Sequence, residues 1–152
     1  MRSARVATMS LSTSAQSALE RLKVSEGGAC ASTLIGGRWR TTARSFEVLD
    51  PGTGAKVCEV ADCGAEEARA AIECASGALA GWGATTARER SDALREWHRR
   101  IVANGEDVAA LMTAECGKPL GEARGEVAYG AAFVEWFAEE APRVAGEVKA
   151  NC

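Results

Sequence analysis

Six cysteines, at positions 30, 58, 63, 74, 116 and 152, and one histidine, His98, are the side chains here best suited to nucleophilic, redox or metal chemistry. A zinc site asks for close Cys and His pairs. The nearest two cysteines, Cys58 and Cys63, have four residues between them, and His98 has no second histidine to join it. A secreted disulfide framework is disfavoured too: the spacing is irregular, the first residues carry no secretory apolar core, and a chain of 152 residues needs no staples. The cysteines therefore read as reduced, unligated thiols. Cys116 falls at the end of a helical stretch, where the carbonyl end of the helix disfavours a thiolate, so it is not read as a nucleophile. His98, next to Trp97, reads as a surface residue.

Two other chemistries fail on spacing. Gly117-Lys118 invites comparison with a phosphate loop, but that loop needs a Gly where Met112 stands and a Ser or Thr where Pro119 stands. No G-x-G-x-x-G follows a strand-like run. Arg88, Arg90, Arg95, Arg99 and Arg100 make one segment look basic, yet Glu89, Asp92 and Glu96 are interleaved, as on a mixed-charge solvated face. The net charge of −3 gives no global attraction to nucleic acid or an acidic membrane, so neither is expected as a partner. Glu122, Glu126, Glu135, Glu139 and Glu140 read first as a solvated stripe.

The elements that must carry these residues follow from pattern. Thr33–Arg40 reads as a hairpin around Gly36-Gly37, Phe46–Leu49 as a strand stopped by Asp50-Pro51-Gly52-Thr53-Gly54, and Lys56–Val60 as another. Helices are expected from about Ala65 to Ala80, with Ala68, Ile72, Ala75 and Leu79 inward and Gly81-Trp82-Gly83 as the stop. A second starts at Thr86 with a Thr86/Glu89 capping box, turns Leu94, Trp97 and Ile101 to one face and stops at Asn104-Gly105. A third spans about Glu106–Glu115, with Val108, Leu111 and Met112 inward, and breaks at Gly117-Lys118-Pro119. The fourth, about Leu120–Ala141, has a stripe of Val127, Ala131, Val134 and Ala138, with Tyr129, Phe133, Trp136 and Phe137 on neighbouring faces. Such a helix is buried on several sides. The fold class is thus α+β and mostly helical: a short N-terminal antiparallel β unit followed by about four helices.

Composition agrees. Hydrophobic residues are 47%, charged residues 26% and aromatics 5%, with no run of eighteen apolar residues for a membrane span. Residues 1–17, with Arg2, Arg5, five serines and threonines from Ser10 to Ser17 and no acid before Glu20, read either as a polar tail or as an organelle transit peptide. Mitochondrial localisation is expected, with cytoplasm or plastid as alternatives.

The order of short motifs resembles the N-terminal part of the NAD(P)-dependent aldehyde dehydrogenase family. The motifs are Leu34-Ile35-Gly36-Gly37-Arg38-Trp39, Val48-Leu49-Asp50-Pro51-Gly52-Thr53-Gly54, Trp82 with Glu89-Arg90, and Glu115-Cys116-Gly117-Lys118-Pro119-Leu120 with Glu122-Ala123. The run Gly125–Glu140, ending Phe133-Val134-Glu135-Trp136-Phe137-Ala138-Glu139-Glu140, is similar to the succinate-semialdehyde dehydrogenase branch. Asp50 stands where the family more often has Asn, and either serves the turn.

The resemblance implies the N-terminal part of the α/β aldehyde dehydrogenase fold, with residues 18–148 as an incomplete segment of that domain and 149–152 as a divergent end. It also implies covalent catalysis: a Cys thiolate attacks the aldehyde, hydride passes to NAD or NADP, and a Glu-activated water frees the acid. The family's G-Q-x-C nucleophile, E-L-G-G base, P-W-N-F-P oxyanion Asn and G-S-T-x-x-G cofactor loop are not among these residues. No catalytic or cofactor-binding residue is therefore assigned, and these residues alone are expected to bind no cofactor and to be inactive. Two lesser roles carry over: Glu126, Gly130 and Phe133 at the mouth of the substrate tunnel, and Glu115 with the Leu49 carbonyl at a structural cation site. In the whole enzyme the resemblance implies an aldehyde substrate, a homo-oligomer and a place in 4-aminobutyrate (GABA) degradation. A rival reading is a short interaction protein that packs with full-length subunits.

Overall fold

A computed structural model describes residues 12–22 and 32–147 of the chain. The targeting reading of residues 1–11, Cys30, Cys152 and the 149–152 end lie outside the described residues.

The first element was not expected. Helix α1 (Thr13–Arg21) begins inside the stretch read as a tail, with the Ser12 Oγ accepting a hydrogen bond from the Ala15 amide at 3.3 Å. Its buried face is made of Ala15 and Ala18, both fully buried, and it packs on α4 (Gly105–Cys116). Only side chains this small let two helices approach so closely. The contact is locked at one end by Arg21, whose Nε reaches both Asp107 oxygens at 3.0 and 2.9 Å.

Strands β1 (Ser32–Ile35) and β2 (Arg38–Thr41) form the expected hairpin, with Gly36 and Gly37 at φ 61° and 73°. β3 (Ser45–Leu49) and β4 (Lys56–Ala61) form a second antiparallel pair. The β unit is therefore two separate two-stranded sheets, with β1 lying beside β4. Register passes from Val48↔Cys58 to Leu49↔Lys56, which leaves Val57 as the extra residue of a bulge. Val57 turns into a small core with Ala15 and Ala114, flanked by Leu19, Val48, Ala55 and Cys58. The turn between β3 and β4 is built on Asp50, whose Oδ1 accepts from the Gly52 and Thr53 amides at 2.8 and 3.2 Å. These hydrogen bonds, the Gly52 one foremost, hold the Asp50 carboxyl below its ordinary range.

Helix α2 runs from Ala65 to Ala84, through the Gly81-Trp82-Gly83 stretch expected to end it. It stops at Thr85, whose amide and hydroxyl both return to the Trp82 carbonyl. The expected inward stripe is not buried: Ile72 is 65% exposed, and no α2 residue is buried. Among the described residues only β1 packs closely on it, so nothing covers that face.

α3 (Ala87–Ala103) starts as its capping box requires: Thr86 Oγ1 accepts from the Glu89 amide, and Glu89 Oε2 accepts from the Thr86 amide at 2.7 Å. Its far end differs from expectation. Asn104 alone makes the break, donating its Nδ2 to the Arg100 carbonyl at 2.8 Å, and Gly105 already belongs to α4. α4 ends where Gly117 takes the left-handed conformation, φ 74°. α5 (Leu120–Glu140) follows and runs into a short 3-10 turn, Ala141–Arg143. α3, α4 and α5 pack as a helical layer. The buried residues of the molecule are largely alanines, Ala109, Ala114, Ala123, Ala131 and Ala138 among them. The architecture among the described residues is the expected small β unit followed by four helices, α2–α5, with α1 added ahead of it.

Candidate functional site

α5 has two faces of different character. Ala123, Ala131 and Ala138 are buried and Val127 and Val134 half-buried, so the expected stripe does face α3 and α4. The other side carries Tyr129, 67% exposed, and Trp136, 63% exposed, with Phe133 and Phe137 nearly as open. Tyr129 and Phe133 meet edge to face, ring centroids 4.9 Å apart and planes at 87°. Together with Ala132, the four aromatic residues line a shallow depression of about 370 Å³. Its lining holds no cysteine, histidine, carboxylate or cationic side chain. Such a surface grips a hydrocarbon chain or another apolar face, and supplies neither nucleophile nor base.

The three residues read as a tunnel mouth part company here. Phe133 lines the depression. Gly130 presents bare backbone one turn earlier, with nothing within 4 Å of where a Cβ would stand. Glu126 is held aside by an ion pair with Lys118, which keeps the Lys118 ammonium above its ordinary pKa. The spacing 126, 130, 133 puts the three along one side of the helix, but only Phe133 belongs to the aromatic cluster. Trp136 and Phe137 join it instead, as their i+3 and i+4 positions after Phe133 allow.

Glu115 and Leu49 come from neighbouring segments. α4 touches β3, and Gly117 sits so close to Pro51 that a Cβ there would be 3.1 Å from Pro51 Cγ. Two oxygens are short of the six or so that a hard cation takes, and among the described residues no three His, Cys, Asp or Glu side chains gather to hold a metal. The pair alone does not complete such a site.

The remaining candidates stay apart. Cys63, Cys74 and Cys116 are exposed free thiols, and the Cys116 Sγ lies 2.9 Å from the Met112 carbonyl. Several α3 charges pair within the helix: Arg88 with Asp92 at 3.0 Å, and Arg99 and Arg100 both with Glu96 at 2.7 Å. The two arginine hydrogen bonds bring the Glu96 carboxyl down to about 2. Ser91 was passed over in the sequence. It lies three residues before Leu94, and it is the buried polar residue of α3, 1% exposed.

Comparison with known proteins gives this geometry its relatives. The sequence profile of the aldehyde dehydrogenase family matches residues 39–151. The chain is 49% identical over 116 residues to the mitochondrial succinate-semialdehyde dehydrogenase of Hylobates lar, covering 76% of this chain and 22% of that protein. It is 53% identical over 102 residues to a probable NADP+ succinate-semialdehyde dehydrogenase of Sinorhizobium fredii, covering 67% and 21%. Among solved structures, the succinate-semialdehyde dehydrogenase of Burkholderia pseudomallei superposes with a TM-score of 0.76 at 48% identity, over 79% of this chain and 25% of that one. The chain thus spans about a fifth to a quarter of the relatives it matches.

Proposed function

The chain belongs to the aldehyde dehydrogenase family, and from that premise we propose that it is the N-terminal part of an enzyme that oxidises succinic semialdehyde to succinate. The observation that carries this reading is the 49% identity over 116 residues to a succinate-semialdehyde dehydrogenase. The structural match to a second protein of that name, at 48% identity, supports it.

NAD or NADP would accept the hydride from the aldehyde. The residues described here do not fit that cofactor: the sheets are two antiparallel pairs, and no Gly-rich turn leads from a strand into a helix. In this reading these residues carry out no catalytic step and are inactive alone. Their part is to position. In this reading the aromatic side of α5 borders the aldehyde's approach, with Phe133 and bare Gly130 as wall, while Glu126 stays tied to Lys118 at the rim. A wall of this kind holds the methylene chain of a short semialdehyde and leaves its carboxylate to be held by cationic groups from another part of the enzyme. Glu115 and the Leu49 carbonyl would supply two oxygens of a structural cation's shell. The whole enzyme is proposed to be a homo-oligomer. Residence in mitochondria and a role in 4-aminobutyrate breakdown follow from the same reading, supported by the mitochondrial relative.

The test compares the longest product of the same locus with the 152-residue chain, measuring NAD(P)H formed from succinic semialdehyde. Turnover by the long product, none by the short chain, is expected. A long product that oxidises no semialdehyde would end the proposal.

A further inference from the structure

The carbonyl of Ala138 lies one turn from the end of α5, and the residue four places on is Pro142. In a helix that carbonyl would accept the amide of residue 142, but proline has none to give. The missing donor comes from another helix. Ser91 Oγ, on α3, donates to the Ala138 carbonyl at 2.8 Å. Arg95, one turn along α3, donates its Nε to the Ser91 Oγ at 3.3 Å and pairs with Glu139 at 2.8 Å. The guanidinium thus also stands at the negative end of the α5 dipole. Ser91 is 1% exposed, so its hydroxyl has no water to turn to, and the Ala138 side chain is fully buried beside it.

We propose that Ser91, backed by Arg95, is a positioning residue: it caps α5 from α3 and so fixes the axial setting of the Phe133–Phe137 face against the rest of the site. The bond ties to α5 directly after Trp136 and Phe137, and a slide or fraying of this last turn would move those rings first. The catalytic consequence rests on the proposed reading of that face as the aldehyde's approach; the cap itself does not.

The test uses the long product of the locus. S91A removes the donor and keeps the shape. It raises KM for succinic semialdehyde roughly three- to tenfold, the size of one hydrogen bond, while kcat stays within about twofold. Rescue distinguishes positioning from general weakening. S91T keeps the hydroxyl, and S91A/P142A returns a backbone donor to the same carbonyl; either brings KM back toward wild type. An unchanged KM in S91A overturns the proposal, as does a KM that stays raised in both rescue variants. If the wild-type long product oxidises no semialdehyde, the functional reading falls. Amide exchange in the 152-residue chain then decides the cap: S91A speeds exchange across 137–141 alone if the cap exists, and leaves it unchanged if not.

Discussion

At the scale of single residues, ion pairing on α3 ties the stability of the fold to pH. Glu96 shows how. Its carboxylate takes hydrogen bonds from Arg99 and Arg100 at 2.7 Å, which lower its pKa from the ordinary 4.5 to about 2. A carboxyl held below its unfolded value contributes stability at pH above that unfolded value, and the contribution is lost as pH falls through the depressed one. The chain is therefore expected to lose thermal stability between about pH 4.5 and 2, and E96Q to flatten that part of the profile. The pairs are exposed, so the effect is modest and shrinks in high salt. Thermal unfolding followed against pH, at low and high salt, checks both statements. A profile identical in E96Q and wild type would show that the arginines only decorate the surface.

At the scale of elements, two termini make sharp tests. Thr86→Ala deletes the hydroxyl that caps α3 and is expected to cost about 1 kcal/mol in urea unfolding. Gly117→Ala meets two obstacles, a backbone at φ 74° and a Pro51 contact at 3.1 Å. It is expected to cost about 1–2 kcal/mol from the backbone alone. Elements whose ends are written in local chemistry were legible in the sequence: the Thr86/Glu89 box, the Gly36-Gly37 turn, the Gly117 stop and the α5 stripe all stand where the pattern puts them. What was not legible depends on distant partners. α1 forms because Ala15 and Ala18 fit against α4 some ninety residues away, a contact no local period announces. α2 passes through Gly77, Gly81 and Gly83, each about 1 kcal/mol worse than alanine in a helix, because its stop is set by Thr85 and the α3 cap beyond. At the candidate site, spacing puts Phe133 on the same side of α5 as Trp136 and Phe137, but it does not show that Lys118 pairs with Glu126.

At the scale of the whole molecule, the apolar surface is unbalanced. Among the described residues the buried side chains are mostly alanine, while Ile72, Leu79, Trp82, Phe133, Trp136 and Phe137 are exposed. Full burial of one such side chain is worth about 1.5–3 kcal/mol, against a typical domain stability of about 5–15 kcal/mol. The isolated 152-residue chain is accordingly expected to be marginally stable, to bind an apolar dye and to associate at micromolar concentration; sedimentation and dye fluorescence check this. A dye-silent monomer with a sharp melt at high temperature would contradict it. The central claim, that these residues open a succinate-semialdehyde dehydrogenase whose chemistry is done elsewhere in the enzyme, is tested most directly by NAD(P)H formation from succinic semialdehyde in parallel assays of the short chain and the long product of its locus. Reduction by the long product alone is the predicted result. Reduction by the short chain, or by neither, would contradict it.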